Sequence, residues 1–584
     1  MSTDSLKQKK ELTNSKLQLK DEVKSSLESV LTIVGVIVFA FLVVFICKKI
    51  MGEEKEVTIA TNEAEQFFYD KKYDEAIKEY EKLQEKEEWP VDIIKEAQVY
   101  SIKGEKDMCN RLLAKAYDDR NKLIYTNSEK YKDADGILGS EIALTAFING
   151  NMSKALEYGE VFLLENSTNK RLQRVMELIY IGVGDNQKAQ DIIDNYSLDD
   201  TSVEDLISYS KMNEVVGNSE AVLENLKIAW YLDKDEVKIF NVIEELINRN
   251  KVDTYKLLSK LTKKDSSEPF YKLMLAKYYS MSAEESEKGL NLLKEIEDND
   301  LGDIMINIIK ADLLKNSGDI ESAEEIVDSL INNKDESYLI DNIIAWNYYR
   351  KGDYKNALNY AKYSVLKNPD YSESYGILIP SILNDSKESE KEEAYLRTAL
   401  YKDPTNYNIL RRTAEFYRDI AKNQEKAYEI YNILAKLYNS ADDYYNMGII
   451  KSSLDKNDEA VKLYEKAIEI NDNVSQYYRD LGSIYLKLGD NEKGIKEIRK
   501  SYSLHKADII TLNNAAFYYI KVKGDVYRGT INLKSAYEGI KENTPTKVKD
   551  IITKNYNEAK TALDRYGKDA NESIIKTLEI ELCN

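Results

Sequence analysis

Residues Tyr478-Arg479-Asp480-Leu481-Gly482-Ser483-Ile484-Tyr485 decide how this chain is read. An aromatic residue, a Leu-Gly pair three places on and a second aromatic fit the W-x2-L-G-x2-Y opening of a helical-hairpin repeat, with Tyr in place of Trp. Thirty-four residues earlier, Tyr444, Met447 and Gly448 hold the same places. The second helix shifts by the same amount, so that Ala460, Tyr464 and Ala467 become Gly494, Ile498 and Ser501. A match that tolerates substitution yet keeps one offset across two hairpins is the mark of a repeat array.

The turn between the helices is a second ruler. A glycine just past a helix end adopts the left-handed conformation that other residues resist. Gly150, Gly184 and Gly217 are spaced by 34 and 33, and Gly318 and Gly352 by 34. A small residue four or five places later keeps the beat at Ala155, Ala189, Ala323, Ala357, Ala427 and Ala460, where close helix approach demands a small side chain. The first repeat is carried by Phe67-Phe68-Tyr69 through Ala76 to Tyr80, and another contains Trp346, Gly352, Tyr354 and Ala357 and ends at Pro369. Ala76 and Ala155 lie 79 apart, two repeats plus about eleven residues, a surplus placed in the polar stretch Lys122 to Asp135. Residues 236–300 are degenerate, and helices are assigned there by apolar spacing alone.

On these residues the chain resembles the tetratricopeptide-repeat (TPR) family over roughly 57–542. It departs from the family by lacking most loop prolines, with Pro90, Pro369 and Pro404 near the usual place, and by replacing Trp with Tyr or an aliphatic residue. The resemblance implies an all-α fold, an α-α superhelix of about fourteen hairpins, each packed against its neighbours without a single central core. Residues 543–584 are then expected to cap the array, with one helix over 547–566 and a second over 571–582.

Ahead of the repeats, Val30 to Cys47 reads VLTIVGVIVFAFLVVFIC, without a charge. As a helix its eighteen residues rise about 27 Å, enough to span a hydrocarbon core. No small-x-small cleavage site follows, and Ile46 precedes Cys47 where a lipoprotein signal needs a small residue, so a retained transmembrane helix at 30–47 is expected. Residues 48–56 read as a linker. Residues 1–29 form a basic amphipathic tail: Leu12, Leu19, Val23, Leu27 and Val30 make an apolar stripe edged by Lys16, Lys20 and Lys24. That pattern suits an anionic inner leaflet, so the repeats are expected on the extracytoplasmic side. Lys48-Lys49 argues the other way, for repeats facing the cytoplasm.

Bulk composition excludes several functions. A net charge of −20, from 83 basic and 103 acidic residues, opposes nucleic-acid binding and keeps a long array soluble. His505 is the single histidine, and Cys47, Cys109 and Cys583 are too scattered for a disulfide framework or zinc site. No phosphate-binding glycine loop, GxSxG, dinucleotide fingerprint or calcium loop occurs. Acidic pairs such as Asp442-Asp443 and Glu392-Glu393 read as solvated helix faces, and Cys583 reads as a frayed end residue. No catalytic residue, metal, cofactor or small-molecule substrate is expected, and an enzyme hidden in 236–300 is the remote alternative.

What the resemblance implies instead is a groove lined by the first helix of each hairpin, at positions 2, 5, 9, 12 and 13, that binds protein or peptide partners. In this register those positions give Trp346, Tyr349 and Arg350, then Tyr445, Arg479 and Lys487, then Asn513, Phe517 and Lys521. Aromatic and Arg side chains are the anchors that dominate protein interfaces. The family's carboxylate clamp is incomplete: Arg479 and Asn513 are suitably placed, but Tyr445 and Ile449 stand where polar groups belong. The expected function is a membrane-anchored protein-interaction scaffold.

Overall fold

The hairpins are set locally, by how one helix ends and the next begins. At Gly184 the backbone turns left-handed, φ +87°, and the following Asp185 side chain accepts the Lys188 N–H. The same Gly-Asp or Gly-Asn device recurs at Gly217-Asn218, Gly352-Asp353 and Gly489-Asp490. One residue closes a helix and the next satisfies an orphan N–H of its partner. Where the glycine is missing, Lys71, Lys387, Lys422 and Asp455 take up the positive φ themselves.

The computed structural model describes residues 57–296, 303–332, 337–567 and 572–583. The chain divides into two units, Met1–Thr58 and Ile59–Asn584, and the described helices belong to the second. The tail, the apolar run 30–47 and the linker lie outside the described residues. Among the described residues no helix is long and apolar enough to cross a membrane.

The described helices pair into fourteen hairpins of the TPR type. From Val203 to Ile509 the first helices begin every 32 to 36 residues, and the degenerate stretch keeps this pitch with Val237–Arg249, Lys251–Lys264, Pro269–Ser280 and Ser286–Ile296. Its sequence loses the repeat signature because Asn250 closes one helix and caps the next in a single residue, without a left-handed turn. The surplus in the second and third repeats forms no polar loop. Lys106–Ile148 is helical throughout except at Asn127 (φ −157°, ψ 60°), so the extra residues lengthen two adjacent helices. Buried Arg120 clamps them, donating from Nε to Asp135 Oδ1 at 2.6 Å, pairing with Glu165 and lying 4.7 Å over the Phe162 ring.

The expectation of packing between neighbours alone is corrected. One apolar core joins residues 93–215 to residues 345–450. The second helices Glu392–Lys402 and Gln424–Tyr438 lie against the first helices of early hairpins. Arg397 Nη2 donates to Ser101 Oγ (2.6 Å), Lys426 Nζ to the Ile102 carbonyl (2.6 Å), and Lys106 pairs with Glu429 (2.9 Å). The Tyr69 ring lies 4.8 Å from that of Tyr395, tilted by 32°. The physical reason is visible in Glu392–Lys402: Ala394, Tyr395, Leu396, Ala399, Leu400 and Tyr401 are buried together with Arg397, so this helix needs cover on nearly every side. Asn457–Ile470, an ordinary second helix, buries just Ala460, Tyr464 and Ala467.

The array ends on Thr546–Tyr566, packed against Val526–Glu538. The expected second helix over 571–582 is cut short: helix runs from Glu572 to Thr577, and 578–583 is non-helical. Cys583 is not frayed. It is fully buried, among Leu512, Ala536, Val548 and Ile552.

Candidate functional site

The first helices of the middle hairpins, Val237–Arg249, Asp303–Ser317, Tyr338–Arg350 and Tyr407–Glu415, line a cleft of about 880 Å³. Trp346, Tyr349 and Arg350 share one wall, on the last two turns of their helix. Trp346 meets Tyr349 edge-on at 5.5 Å, and the Tyr349 hydroxyl donates to Asp385 Oδ2 at 2.7 Å. Burial and that carboxylate hold the phenol up at about 12. Trp346 and Tyr349 are half-buried and Arg350 is exposed. Both rings are thus fixed by packing yet reachable from the cleft.

Polar groups enter the same space. Lys277 pairs with Glu244 (3.0 Å), and burial raises the Asp312 carboxyl, with Lys277 and Arg350 drawing it back. Arg411 and Arg412 also line the cleft, paired with Glu415 (3.2 Å) and Glu392 (2.9 Å). Asn241, Asn347 and Asn408 add amides that can both donate and accept. Aromatic anchors, guanidinium groups and two-way amides along a groove of helices suit an extended peptide better than a reaction.

Beside the cleft, Glu245, Glu373 and Asp403 each offer an oxygen within 4.8 Å of the others, a spacing a cation could bridge. That cation is a side chain. Lys211 Nζ lies 3.0 Å from Glu245 Oε1 and pairs with Asp403. Asn406 Nδ2 donates to Glu245 and to Glu373, both at 3.1 Å, and Glu245 accepts the Tyr407 N–H at 2.9 Å. The cluster fastens Val237–Arg249 to the start of Tyr407–Glu415.

The remaining residues expected in the groove are placed differently. Tyr445 donates to Asp480 Oδ2 (2.6 Å) between the rings of Tyr464 and Tyr477. Arg479 spans Asp480 (2.7 Å) and Asp508 (3.1 Å), and Lys487 pairs with Asp455 (2.8 Å). These three tie one repeat to the next. Asn513, Phe517 and Lys521 instead face the chain's own C-terminal segment: Asn513 Nδ2 donates to the Glu581 carbonyl (3.0 Å) and Lys521 Nζ to the Leu578 carbonyl (2.8 Å). Phe517 packs in the group containing Leu578 and Ile580.

Two of the hairpins match a known family. Residues 441–474 and 475–508 each match the Tetratricopeptide repeat, in the register defined by Tyr444 and Tyr478. No curated protein is matched. Among solved structures, the chain is similar to yeast Tom70 at 16% identity, covering 81% of this chain and 96% of that one, with a TM-score of 0.35. It is similar to Naa15/Naa10 bound to HypK-THB at 13% identity, 89% and 98% coverage and a TM-score of 0.37. It is similar to the Cut9-Hcn1 hetero-tetramer of APC/C at 14% identity, 84% and 94% coverage and a TM-score of 0.36. The chain is a helical-repeat protein whose hairpins include two matched tetratricopeptide repeats.

Sequence reasoning missed Asn241, Asn347, Asn514 and Asn555. Asparagine is frequent in this chain and its helical positions carry no periodic signal, so only the structure separates amides facing a groove from amides facing solvent.

Proposed function

We propose that the chain is a scaffold that binds extended segments of partner proteins in the cleft at Trp346, Tyr349 and Arg350. The observation that carries this reading is the convergence of two fixed aromatic rings, three guanidinium groups and three amides on one groove of first helices. Amides satisfy a peptide backbone, the rings take apolar side chains, and the guanidinium groups take carboxylates. The first helices Val91–Lys103 and Val203–Val215 cannot serve in the same way at Ser101 and Lys211, which already face Arg397 and Asp403.

A photo-crosslinker at Asn347 of the solubilised full-length protein should capture the same partner as one at Arg411, and none at Lys462 on the opposite kind of surface. Arg350→Glu, at an exposed helix end, should cut capture at least tenfold and leave the thermal melt unchanged. Equal capture from Lys462 would sink the cleft assignment.

We also propose that residues 30–47 hold this scaffold at a membrane, on the strength of their uninterrupted apolar sequence. The lysine-edged tail favours repeats outside; Lys48-Lys49 favours repeats facing the cytoplasm. Protease added to wall-stripped cells digests the repeats in the first arrangement and spares them until permeabilisation in the second.

A further inference from the structure

Residues Leu578-Glu579-Ile580-Glu581-Leu582 alternate apolar and acidic side chains, the two-residue period of an extended strand, and Cys583 follows them. They lie in a groove between the helix that starts at Ile509 and the helix Thr546–Tyr566. Leu578, Ile580 and Cys583 are buried, while Glu579 and Glu581 face outward, where Lys554 pairs with them at 3.3 Å and 2.5 Å.

The segment is held by its backbone. Asn555 Nδ2 donates to the Glu581 carbonyl (2.8 Å) while its Oδ1 accepts the Glu581 N–H (3.0 Å). Asn514 does the same two residues on, donating to the Cys583 carbonyl (2.7 Å) and accepting its N–H (2.8 Å). Both asparagines are fully buried. Lys521, on the π-helical turn Tyr518–Val522, donates to the Leu578 carbonyl. Two amides spaced to meet residues i and i+2 of a strand are a peptide-reading device, because main-chain bonds give affinity while alternate pockets give selectivity. None of the hydrogen bonds from Asn514, Asn555 or Lys521 to the segment requires a particular side chain on it, so another chain with the same alternation can make them all.

We propose that this terminal groove is a receptor for an extended partner peptide of alternating apolar and acidic residues, and that residues 578–583 occupy it in cis as a latch the partner displaces. It is separate from the cleft at Trp346, and it works whether or not that cleft binds a partner. A tethered occupant lowers apparent affinity for a free peptide by the fraction of time it is bound.

Cys583 gives a direct readout. Its thiol is fully covered, and burial pushes it up to about 11, so alkylation at pH 8 is slow while the latch is closed. In the solubilised full chain, with labelling at each cysteine read by peptide mass, an excess of synthetic peptide of sequence 574–583 carrying Ser for Cys should speed alkylation of Cys583 at least tenfold. Cys109, fully buried elsewhere, should not change. A peptide with the same residues but its acids and apolar groups in separate blocks should have no effect. Asn555→Ala should speed Cys583 labelling without added peptide. A chain ending at Thr577 should bind the fluorescent peptide at least tenfold more tightly than the full chain does, and if that truncation unfolds, the labelling assay on the full chain still decides. Unchanged Cys583 labelling at saturating peptide, or equal acceleration by the blocked peptide, would overturn the proposal. So would a concentration-dependent dimer that exchanges the segment between copies and excludes the peptide.

Discussion

At Gly184 the backbone is left-handed and no atom stands within 4 Å of where a Cβ would be, so Gly184→Ala isolates the conformational penalty from any clash. It should cost about 1–2 kcal/mol in urea melts. A neutral result would mean that the turn relaxes. Asp443 offers a test of a different kind. Burial, with Asp442 nearby, raises its carboxyl from 3.8 to about 8, against the pull of Arg411. Between those values the folded chain binds one more proton than the unfolded chain, so this group's stabilising contribution is complete below about pH 4 and is lost as pH rises through 8. Asp443→Asn should therefore flatten the pH dependence across that window and make the protein more stable than the parent at pH 8. A steeper fall in the variant would contradict the assignment. Gly184 was legible in the sequence because a repeated turn is a local device. Asp443 was not: it read as part of a solvated acidic pair, and only packing shows that one of the two is covered.

Among the elements, the pair of long helices meeting at Asn127 is held by a charge rather than by a turn. Arg120 is 3% exposed, and Asp135 supplies two of its hydrogen-bond contacts. Asp135→Ala leaves a buried guanidinium with Glu165 as its remaining anionic partner, and a loss of about 3–5 kcal/mol is expected. Amide hydrogen exchange should rise across 106–148 in particular; an effect below 1 kcal/mol would show that Glu165 alone suffices. The sequence placed the surplus residues in the polar stretch Lys122 to Asp135 without assigning their conformation. Polar, exposed helix is compatible with that stretch, which contains neither Gly nor Pro to end a helix. At the other end, the alternation in Leu578–Leu582 was a strand signal in plain view, overridden by the expectation that a capping region is helical.

Across the described repeats, early and late hairpins share a core, and Lys211 is one of its fasteners. Burial opposes its charge, but Asp403, Glu245 and Glu373 around it raise its affinity for the proton well above the usual lysine range. Lys211→Met should destabilise by about 3–5 kcal/mol at pH 8, because three carboxylates then face one another without a cation. The loss should shrink toward pH 5. Burial already raises Glu245 and Glu373, and without Lys211 they can shed their repulsion by taking up protons. Hydrogen exchange should rise together in 203–249 and 392–438, while 441–538 stays unchanged. A response confined to 170–270 would indicate an array that couples neighbours alone.

The hairpins and their pitch near 34 residues were determined by the sequence itself, because both follow from patterns within one or two turns of chain: small residues at helix contacts and Gly-Asp at turns. The apolar character of 30–47 is equally local. Which first-helix residues remain open was decided by tertiary structure. Ser101, Lys211 and Trp346 sit at comparable places on comparable helices, yet the first two meet residues of 397–403 and the third lines a cleft. The difference arises because a small rotation at each hairpin accumulates over many repeats, and no single repeat encodes where the later helices will arrive.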